Sequence, residues 1–247
     1  MRFRRPLVAV SLGAAIATAA LAALAFAATT SVTCTGTQST NVTGDLNVPA
    51  GKTCTISPGV KIGNDVNVNA GSTLIDNGAI VGHDINGTNA KGIGIGGSAS
   101  GPGRVGEDID IYATSGAGPG TVTRGDNYIC DTAVVNDVNV QNSTSAAGQW
   151  IIGDTDEECT RGGNQIGHDI NVQSNKNRVD ISDNEKGTAP YSVGITHDLT
   201  VGQNTVTSTS PIVESNYIGH DADCQAGTKK DGDGSKNIVG HDNNGCP

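Results

Sequence analysis

The sequence predicts an all-β fold, a right-handed parallel β-helix of about eight to nine coils, after a cleaved N-terminal signal helix. Three observations support this prediction. One short motif recurs along the chain, the residues after it alternate between apolar and polar, and the composition favours strands and turns. The 247 residues include 35 Gly, and only 3% of them are aromatic. β-Branched and turn-forming residues dominate after residue 30, as in short strands joined by tight turns.

The motif centres on an Asp that most copies place two residues after a Gly, as in IGHDINV at 166–172. Nine copies align on this residue at intervals of 19 to 32 residues. These corner aspartates are Asp45, Asp65, Asp84, Asp108, Asp137, Asp169, Asp198, Asp221 and Asp242. Short β-rich units of this length without a helical pattern are typical of a solenoid of strands.

The alternation after each corner aspartate predicts a strand with one buried face. Ile170 and Val172 are expected to point inward and Asn171 outward. Further strands are expected between the motifs, at 73–75, 178–181 and 205–207. A left-handed hexapeptide helix would need a strict six-residue period, which is absent. A β-sandwich would not explain why one motif recurs.

The Gly-x-Asp segment is predicted to form a corner on every coil. In a straight strand the residue between Gly and Asp, here called the corner residue, would point into the core. This residue is His, Asn or Glu in most copies, which is unsuitable for an unpaired core position. A bend at a glycine with positive φ would turn it outward. The aspartate could then bond its own backbone as an Asx-turn that caps the corner.

Residues 1–27 are predicted to be a signal peptide. Arg2, Arg4 and Arg5 precede an apolar run from Leu7 to Phe26, and an Ala-Phe-Ala cleavage site ends it. The alternative is a membrane-anchoring helix, because the run approaches spanning length. We expect residues 28–247 to form a single domain that is secreted to the medium or cell surface, without membrane insertion after cleavage.

The net charge of the exported part argues against some classes of binding partner. Removing three Arg from 15 basic residues leaves 12 against 25 acidic residues, a net charge of −13. This balance argues against nucleic acid or an anionic membrane surface as a partner.

Six cysteines lie in the exported part, which suits an oxidising compartment. They fall into the neighbouring pairs Cys34–Cys54, Cys130–Cys159 and Cys224–Cys246. The separations of 20, 29 and 22 residues match the local repeat, so each bridge would join adjacent coils. A metal cluster is the alternative, although no Cys-x-x-Cys spacing supports it.

Histidine is confined to the corner position. The five histidines are His83, His168, His197, His220 and His241, and the last four belong to consecutive copies. Stacked coils would align them at about 4.8 Å, in a column that could bind Zn, Cu or Ni. The alternative is a set of exposed side chains without a ligand. Stacking also aligns the aspartates, whose repulsion of roughly 1 to 3 kcal/mol per pair requires hydrogen bonds or a cation.

Two further sets of residues are candidates for chemistry. Asp231 and Asp233 resemble the start of a calcium loop, but Lys236 replaces the glycine that an EF-hand requires. An EF-hand is therefore not expected, and the prediction is a plain surface loop, with looser calcium binding as the alternative. No catalytic residue is assigned. A polysaccharide-active enzyme could use arginines together with carboxylates, here Arg124, Arg161 and Arg178 with Asp154, Asp156 and Asp180. The spacing of these residues singles out none of them.

The repeated GHD corners, IVESNYIGHDADC and the closing KNIVGHDNNGCP resemble secreted bacterial β-helix repeat proteins of uncharacterised function. The repeat is also loosely similar to bactofilins, the polymer-forming β-helices. We expect a secreted, disulfide-stabilised β-helix that acts as a non-catalytic structural or binding protein. Its expected partner is cell-wall or extracellular polysaccharide, or another copy of the chain, and a polysaccharide lyase or hydrolase on the same fold is the alternative.

Overall fold

A computed structural model describes residues 30–96, 101–120, 125–144, 146–155, 159, 162–184, 194–205, 210–231 and 234–247. These ranges contain 25 strands and no helix. No helix in them is long and apolar enough to cross a membrane. The predicted signal peptide at 1–27 lies outside the described residues.

The strands form three parallel sheets that run along the molecule. Sheet A consists of β1 (Val32–Thr33), β3 (Leu46–Val48), β6 (Val66–Val68), β9 (Ile85–Thr88), β12 (Ile109–Tyr112), β15 (Val138–Gln141), β18 (Ile170–Gln173), β20 (Leu199–Gly202), β23 (Ala222–Cys224) and β25 (Asn243–Asn244). Sheet B consists of β2 (Thr37–Gln38), β4 (Thr53–Ile56), β7 (Thr73–Asp76), β10 (Gly92–Gly96), β13 (Asn127–Cys130), β16 (Trp150–Ile152), β19 (Val179–Ser182) and β21 (Ile212–Glu214).

Sheet C is shorter and is interrupted once. Its first part consists of β5 (Lys61–Ile62), β8 (Ile80–Val81), β11 (Gly103–Val105), β14 (Thr132–Val134) and β17 (Gln165–Ile166). Its second part consists of β22 (Tyr217–Ile218) and β24 (Ile238–Val239). Single bridges from Ile195 to Ile166 and to Ile218 connect the two parts. Successive strands in the chain therefore pass from sheet C to A to B, with three strands in a full coil.

The predicted parallel β-helix is confirmed. All nine motif copies supply a strand of sheet A, in sequence order and in parallel register, so that Val138 pairs with Ile170 and Ile170 with Leu199. Strand β1 adds a tenth strand ahead of the first motif. The expected strands at 73–75 and 178–181 correspond to β7 and β19. The strand expected at 205–207 falls largely outside the described residues.

The core lies between the sheets and is filled by stacked aliphatic side chains. The inward residues of sheet A include Leu46, Val66, Ile85 and Ile109, all with no exposed surface. Burial of each such side chain contributes about 1.5 to 3 kcal/mol before the cost of ordering the chain. The alternation predicted at 170–172 is present, with Ile170 and Val172 buried and Asn171 half-buried.

Two columns of buried polar side chains flank this core, and the sequence did not indicate them. In one column, the side-chain oxygen of Asn175 accepts a hydrogen bond from the backbone amide of Ser143 at 2.9 Å. The backbone amide of Asn175 donates in turn to the side-chain oxygen of Asn204 at 2.9 Å. In the other, the amides of Thr132 and Asn164 donate to Asn164 and Asn184 at 3.2 and 3.0 Å. Each asparagine thus satisfies a backbone group that a coil corner removes from the sheets.

The predicted cysteine pairing is confirmed. Disulfides join Cys34 to Cys54, Cys130 to Cys159 and Cys224 to Cys246, and no described cysteine is free. Each bridge links neighbouring coils, and two of them lie in the first and last coils. Such bonds persist in oxidising environments.

Candidate functional site: the histidine–aspartate ladder

The Gly-x-Asp corners connect sheet C to sheet A, and glycine is required there by a close approach between coils. A Cβ on Gly106 would lie 1.9 Å from the Gly82 carbonyl oxygen, and one on Gly167 would lie 1.9 Å from that of Val135. The expected positive φ is wrong, since neither glycine has one. Positive φ occurs instead at the next corner, between sheets A and B, at the non-glycine residues Asn89, Ala113, Asn142, Ser174 and Gln203.

The corner aspartates bond the neighbouring coil, so the predicted Asx-turn within one coil is wrong as well. The amide of Asp169 donates to Oδ1 of Asp137 at 3.0 Å, and the amide of Asp198 donates to Oδ1 of Asp169 at 2.9 Å. The same bond links the other successive corner aspartates from Asp65 to Asp242, with N···O distances of 2.9 to 3.3 Å. At the first corner, Asp45 accepts from the Ser31 hydroxyl at 3.2 Å. The corner aspartates therefore cap each coil with the next one.

The last four histidines form the expected outward column. The ring centroids of His168 and His197 are 4.7 Å apart, those of His197 and His220 4.9 Å, and those of His220 and His241 5.0 Å. The planes of neighbouring rings differ by 4° to 6°. Between 44% and 63% of each side chain is exposed. His83 is also outward but stands apart, 3.5 Å from Glu107.

Each imidazole in the column lies between two carboxylates. The Nδ1 atom of His197 is 3.0 Å from Oδ1 of Asp169 in the preceding coil and 3.4 Å from Oδ2 of Asp198 in its own coil. The same two contacts recur at His168, His220 and His241, at 2.9 to 3.0 Å and at 3.4 to 3.5 Å. We call this arrangement the His–Asp ladder. It comprises Asp137, His168, Asp169, His197, Asp198, His220, Asp221, His241 and Asp242.

Carboxylate oxygens accept hydrogen bonds, so the proton of each neutral ring belongs on Nδ1 and the lone pair on Nε2. The hydrogen bond to Asp137 raises the pKa of His168, and the bond to Asp221 raises the pKa of His241. The pKa of Asp221 is lowered, first by the amide of Asp242 and then by His241. Both directions mean that these contacts favour the charged forms of His168, His241 and Asp221.

Asp108, which has Glu107 as its own corner residue and Asn136 as the corner residue of the next coil, behaves differently. Partial burial raises the pKa of Asp108, and the charges of neighbouring acids add to this effect. Partial burial also acts on Asp198, but the amide of Asp221 and the ring of His220 outweigh it and lower the pKa of Asp198. The imidazoles thus offset the repulsion between stacked carboxylates that the sequence predicts.

The remaining predicted site residues are not brought to the ladder. Asp231 lies 3.9 Å from the Arg178 guanidinium beside sheet B, and Asp233 is outside the described residues. Within the part of the chain that the structure describes, three His/Asp groups have ligand atoms within 4.8 Å of one another, and all three belong to the ladder. Of the residues considered for an enzyme, Arg178 pairs with Asp180 at 2.8 Å. Asp154 is buried, and residues 124, 156 and 161 lie outside the described ranges.

A second polar row lies beside the ladder on the outer face of sheet A. The alternation in the sequence predicts that its side chains point outward, but not that they form a row. This row, the Asn row, consists of Asn47, Asn67, Asn86, Asp110, Asn139, Asn171, Thr200, Asp223 and Asn244, paired in register. Asn139 donates to Asp110 at 2.8 Å, and Asn171 donates to Asn139 at 3.1 Å. The signal for it was the polar residue two positions after each corner aspartate.

Comparison of the chain with models of protein families, with curated proteins and with solved structures gives no match.

Proposed function

We propose that this protein is a secreted, disulfide-stabilised β-helix with a non-catalytic structural and binding role at the cell surface or in the extracellular medium. The observation that carries the proposal is the use of the corner aspartates. One oxygen of Asp169 accepts from both the amide of the next coil and the imidazole of His197. The same arrangement recurs at Asp137, Asp198 and Asp221. Acid–base groups arranged in this way hold successive coils together instead of converging on one point.

The extracellular part of the proposal rests on the cross-links and the leader. Three disulfides join adjacent coils, and disulfides persist mainly in oxidising compartments. A signal peptide at 1–27 would deliver the chain there.

The binding part of the proposal rests on the outer face of sheet A. The Asn row presents hydrogen-bonding side chains, most of them amides, at the strand spacing along the sheet, and the His–Asp ladder runs beside it. A linear polysaccharide also repeats its hydroxyl groups at a regular interval, so we take extracellular or cell-wall polysaccharide as the ligand class. Self-association through the same face is the competing outcome.

The test combines a turnover assay with a binding assay on a panel of extracellular polysaccharides. We expect no reducing sugar and no unsaturated product, together with retention of the protein on at least one insoluble polymer. Robust turnover of any polymer would contradict the non-catalytic role. Light scattering at rising protein concentration separates self-association from glycan binding.

A pair of variants locates the surface. Replacing Asn139 and Asn171 with Leu should abolish retention, because it removes the amide groups at the centre of the Asn row. Thr55→Leu places the same side chain on sheet B and should leave retention unchanged. Equal loss in both proteins would show that sheet A is not the binding face.

A further inference from the structure

We propose that the four stacked histidines of the His–Asp ladder bind divalent transition-metal ions of the Zn²⁺, Cu²⁺ and Ni²⁺ class through their Nε2 atoms. The site goes beyond the structural role proposed above and does not depend on a polysaccharide ligand. It rests on the hydrogen bonding of the rings, their spacing and their exposure.

The hydrogen bonding prepares each ring as a ligand. Histidines that bind metals almost always donate their other ring N–H to a carboxylate or carbonyl, which fixes the tautomer and raises the basicity of the ligating nitrogen. His168 and His197 meet this condition, with Nδ1 3.0 Å from the carboxylates of Asp137 and Asp169. The described residues provide no hydrogen bond to the Nε2 atom of either ring, so its lone pair faces solvent.

The spacing brings neighbouring Nε2 atoms close to the separation of two ligands on one ion. The rings are nearly parallel with centroids 4.7 to 5.0 Å apart. Two imidazoles on tetrahedral zinc, with bonds of about 2.0 to 2.1 Å, have nitrogens roughly 3.4 Å apart. Neighbouring Nε2 atoms must therefore approach by about 1 to 2 Å, and the parallel rings must also turn so that their in-plane lone pairs converge on one ion. Exposed side chains make such movements readily.

The chemistry of the donors selects the class of metal. Neutral imidazole suits Zn²⁺, Cu²⁺ and Ni²⁺, whereas Ca²⁺ takes six to eight oxygen ligands. The Oδ1 atom of Asp169 already accepts from an amide and an imidazole, and Asp198 and Asp221 are engaged in the same way. Calcium on these carboxylates would have to break these bonds between coils, while a metal on Nε2 uses none of the Oδ1 atoms and leaves the amide bonds between coils in place.

The number of rings sets the stoichiometry. Each ion needs two neighbouring histidines, with water completing its coordination. The four rings therefore accommodate up to two ions, one on His168 and His197 and one on His220 and His241. The nine corner carboxylates add a negative field that attracts cations to this edge.

The test is calorimetric titration of the complete exported part, residues 28–247, with Zn²⁺ and with Ni²⁺ at pH 7.5 in a non-coordinating buffer. The key variant is the double replacement His197→Asn and His220→Asn, which leaves no two histidines adjacent. Asparagine already stands at this corner in two copies, as Asn64 and Asn136, so the fold should be retained; circular dichroism checks this. The matched control is His83→Asn, which removes an isolated corner histidine.

We expect both metals to bind wild type and the His83 variant with the same affinity, and the double variant to bind at least tenfold more weakly. Ca²⁺ should not compete at equal concentration. In a parallel experiment, Co²⁺ should give the visible absorption of a nitrogen-ligated ion in wild type and in the His83 variant, and not in the double variant. Absence of binding by wild type, or equal loss in the His83 control, would overturn the proposal.

Discussion

At the scale of single residues, the ladder shows how one side-chain atom can serve two coils. The Oδ1 atom of Asp198 accepts from the amide of Asp221 and from Nδ1 of His220, both at 3.0 Å. The aspartate thereby satisfies a backbone N–H at a corner where the sheets supply no acceptor. Its charge is balanced by the imidazole when the ring is protonated. Each corner is therefore stabilised by hydrogen bonds to the corner of the next coil.

Asp76 is a residue where pH should control stability. It is buried near the end of β7 and accepts from the amides of Gly78 and Ala79 at 3.0 and 2.8 Å. Burial raises its pKa from 3.8 to about 6. The folded pKa is above the unfolded value, so the stability that Asp76 contributes is complete below pH 3.8 and is lost as the pH rises through about 6.

Asp76→Asn should therefore stabilise the protein at pH 7 by up to about 3 kcal/mol relative to wild type, and by much less at pH 4. Asparagine keeps an oxygen that accepts the two amide bonds but carries no charge to desolvate. Urea unfolding of both proteins between pH 4 and pH 7 measures the difference. A difference that does not change with pH would contradict the assigned burial cost.

Gly167 should be intolerant of even a methyl group. A Cβ there would meet the Val135 carbonyl oxygen at 1.9 Å, and this atom belongs to the backbone of the preceding coil. We expect Gly167→Ala to cost about 1 to 3 kcal/mol in the free energy of unfolding, as overpacking usually does. Gly202→Ala is the control, because the nearest atom is 4.0 Å away, and it should be neutral. Equal denaturation midpoints for the two variants would show that the coils can separate at little cost.

At the scale of strands and columns, the buried asparagines act as short hydrogen-bonded extensions of the sheets. The side chain of Asn175 accepts from the Ser143 amide and donates to the Val140 carbonyl and to Asn204. Asn204 repeats this pattern one coil further, where its Nδ2 donates to the Val172 carbonyl at 3.0 Å. Each column of asparagines therefore supplies hydrogen bonds between neighbouring coils at a corner, where the strands of the sheets have ended.

Asn175→Ala should destabilise the protein by about 1 to 3 kcal/mol, because it leaves the buried Ser143 amide without its acceptor and removes the bonds to Val140 and Asn204. Asn171→Ala removes a half-buried amide from the Asn row and should cost less than about 1 kcal/mol. Chemical denaturation of the two variants provides the comparison. Similar losses would mean that the buried column contributes no more than the surface row.

The strands of sheet A could be predicted from the sequence, since an apolar–polar alternation and a fixed Gly-x-Asp corner mark each of them. Sheet B is harder to predict, because some of its strands are buried on both faces. Trp150, Ile151 and Ile152 are all buried, as is every residue of Gly92–Gly96. The second corner has no consistent residue type, since Ala113 and Gln203 both adopt positive φ there.

The errors at the corner have a common cause. Local rules for turns assign the aspartate to its own backbone and the glycine to positive φ. The actual partners of Asp169 and Gly167 are a full coil away in the chain and become neighbours only through the stacking register. The histidine column was predictable because it depends on that register alone.

At the scale of the whole molecule, each coil contacts mainly the coils before and after it, as in other solenoids. The two ends are weak points, because their outermost strands have one neighbour only. Disulfides Cys34–Cys54 and Cys224–Cys246 join the last two coils at each end, and Cys130–Cys159 lies in the middle. An acidic surface with a net charge of −10 for the full chain favours solubility.

Removal of the first disulfide should therefore act locally. Replacing Cys34 and Cys54 with Ser should cost about 3 kcal/mol by the chain-entropy account. We expect faster amide hydrogen exchange in β1 to β4, and little change in the strands that follow β9 in the chain. The matched variant replaces Cys130 and Cys159. Uniformly faster exchange along the chain in the first variant would show that the coils unfold as one unit.

The central claim is that the corner histidines hold their Nδ1 protons against the aspartates of the preceding coil. The most direct measurement is the ¹⁵N NMR spectrum of the imidazole nitrogens at a pH where the rings are neutral. The account predicts that His168, His197, His220 and His241 carry the proton on Nδ1 and have an unprotonated Nε2. Protonation on Nε2 in these four rings would contradict the ladder and would remove the lone pairs that the proposed metal site requires.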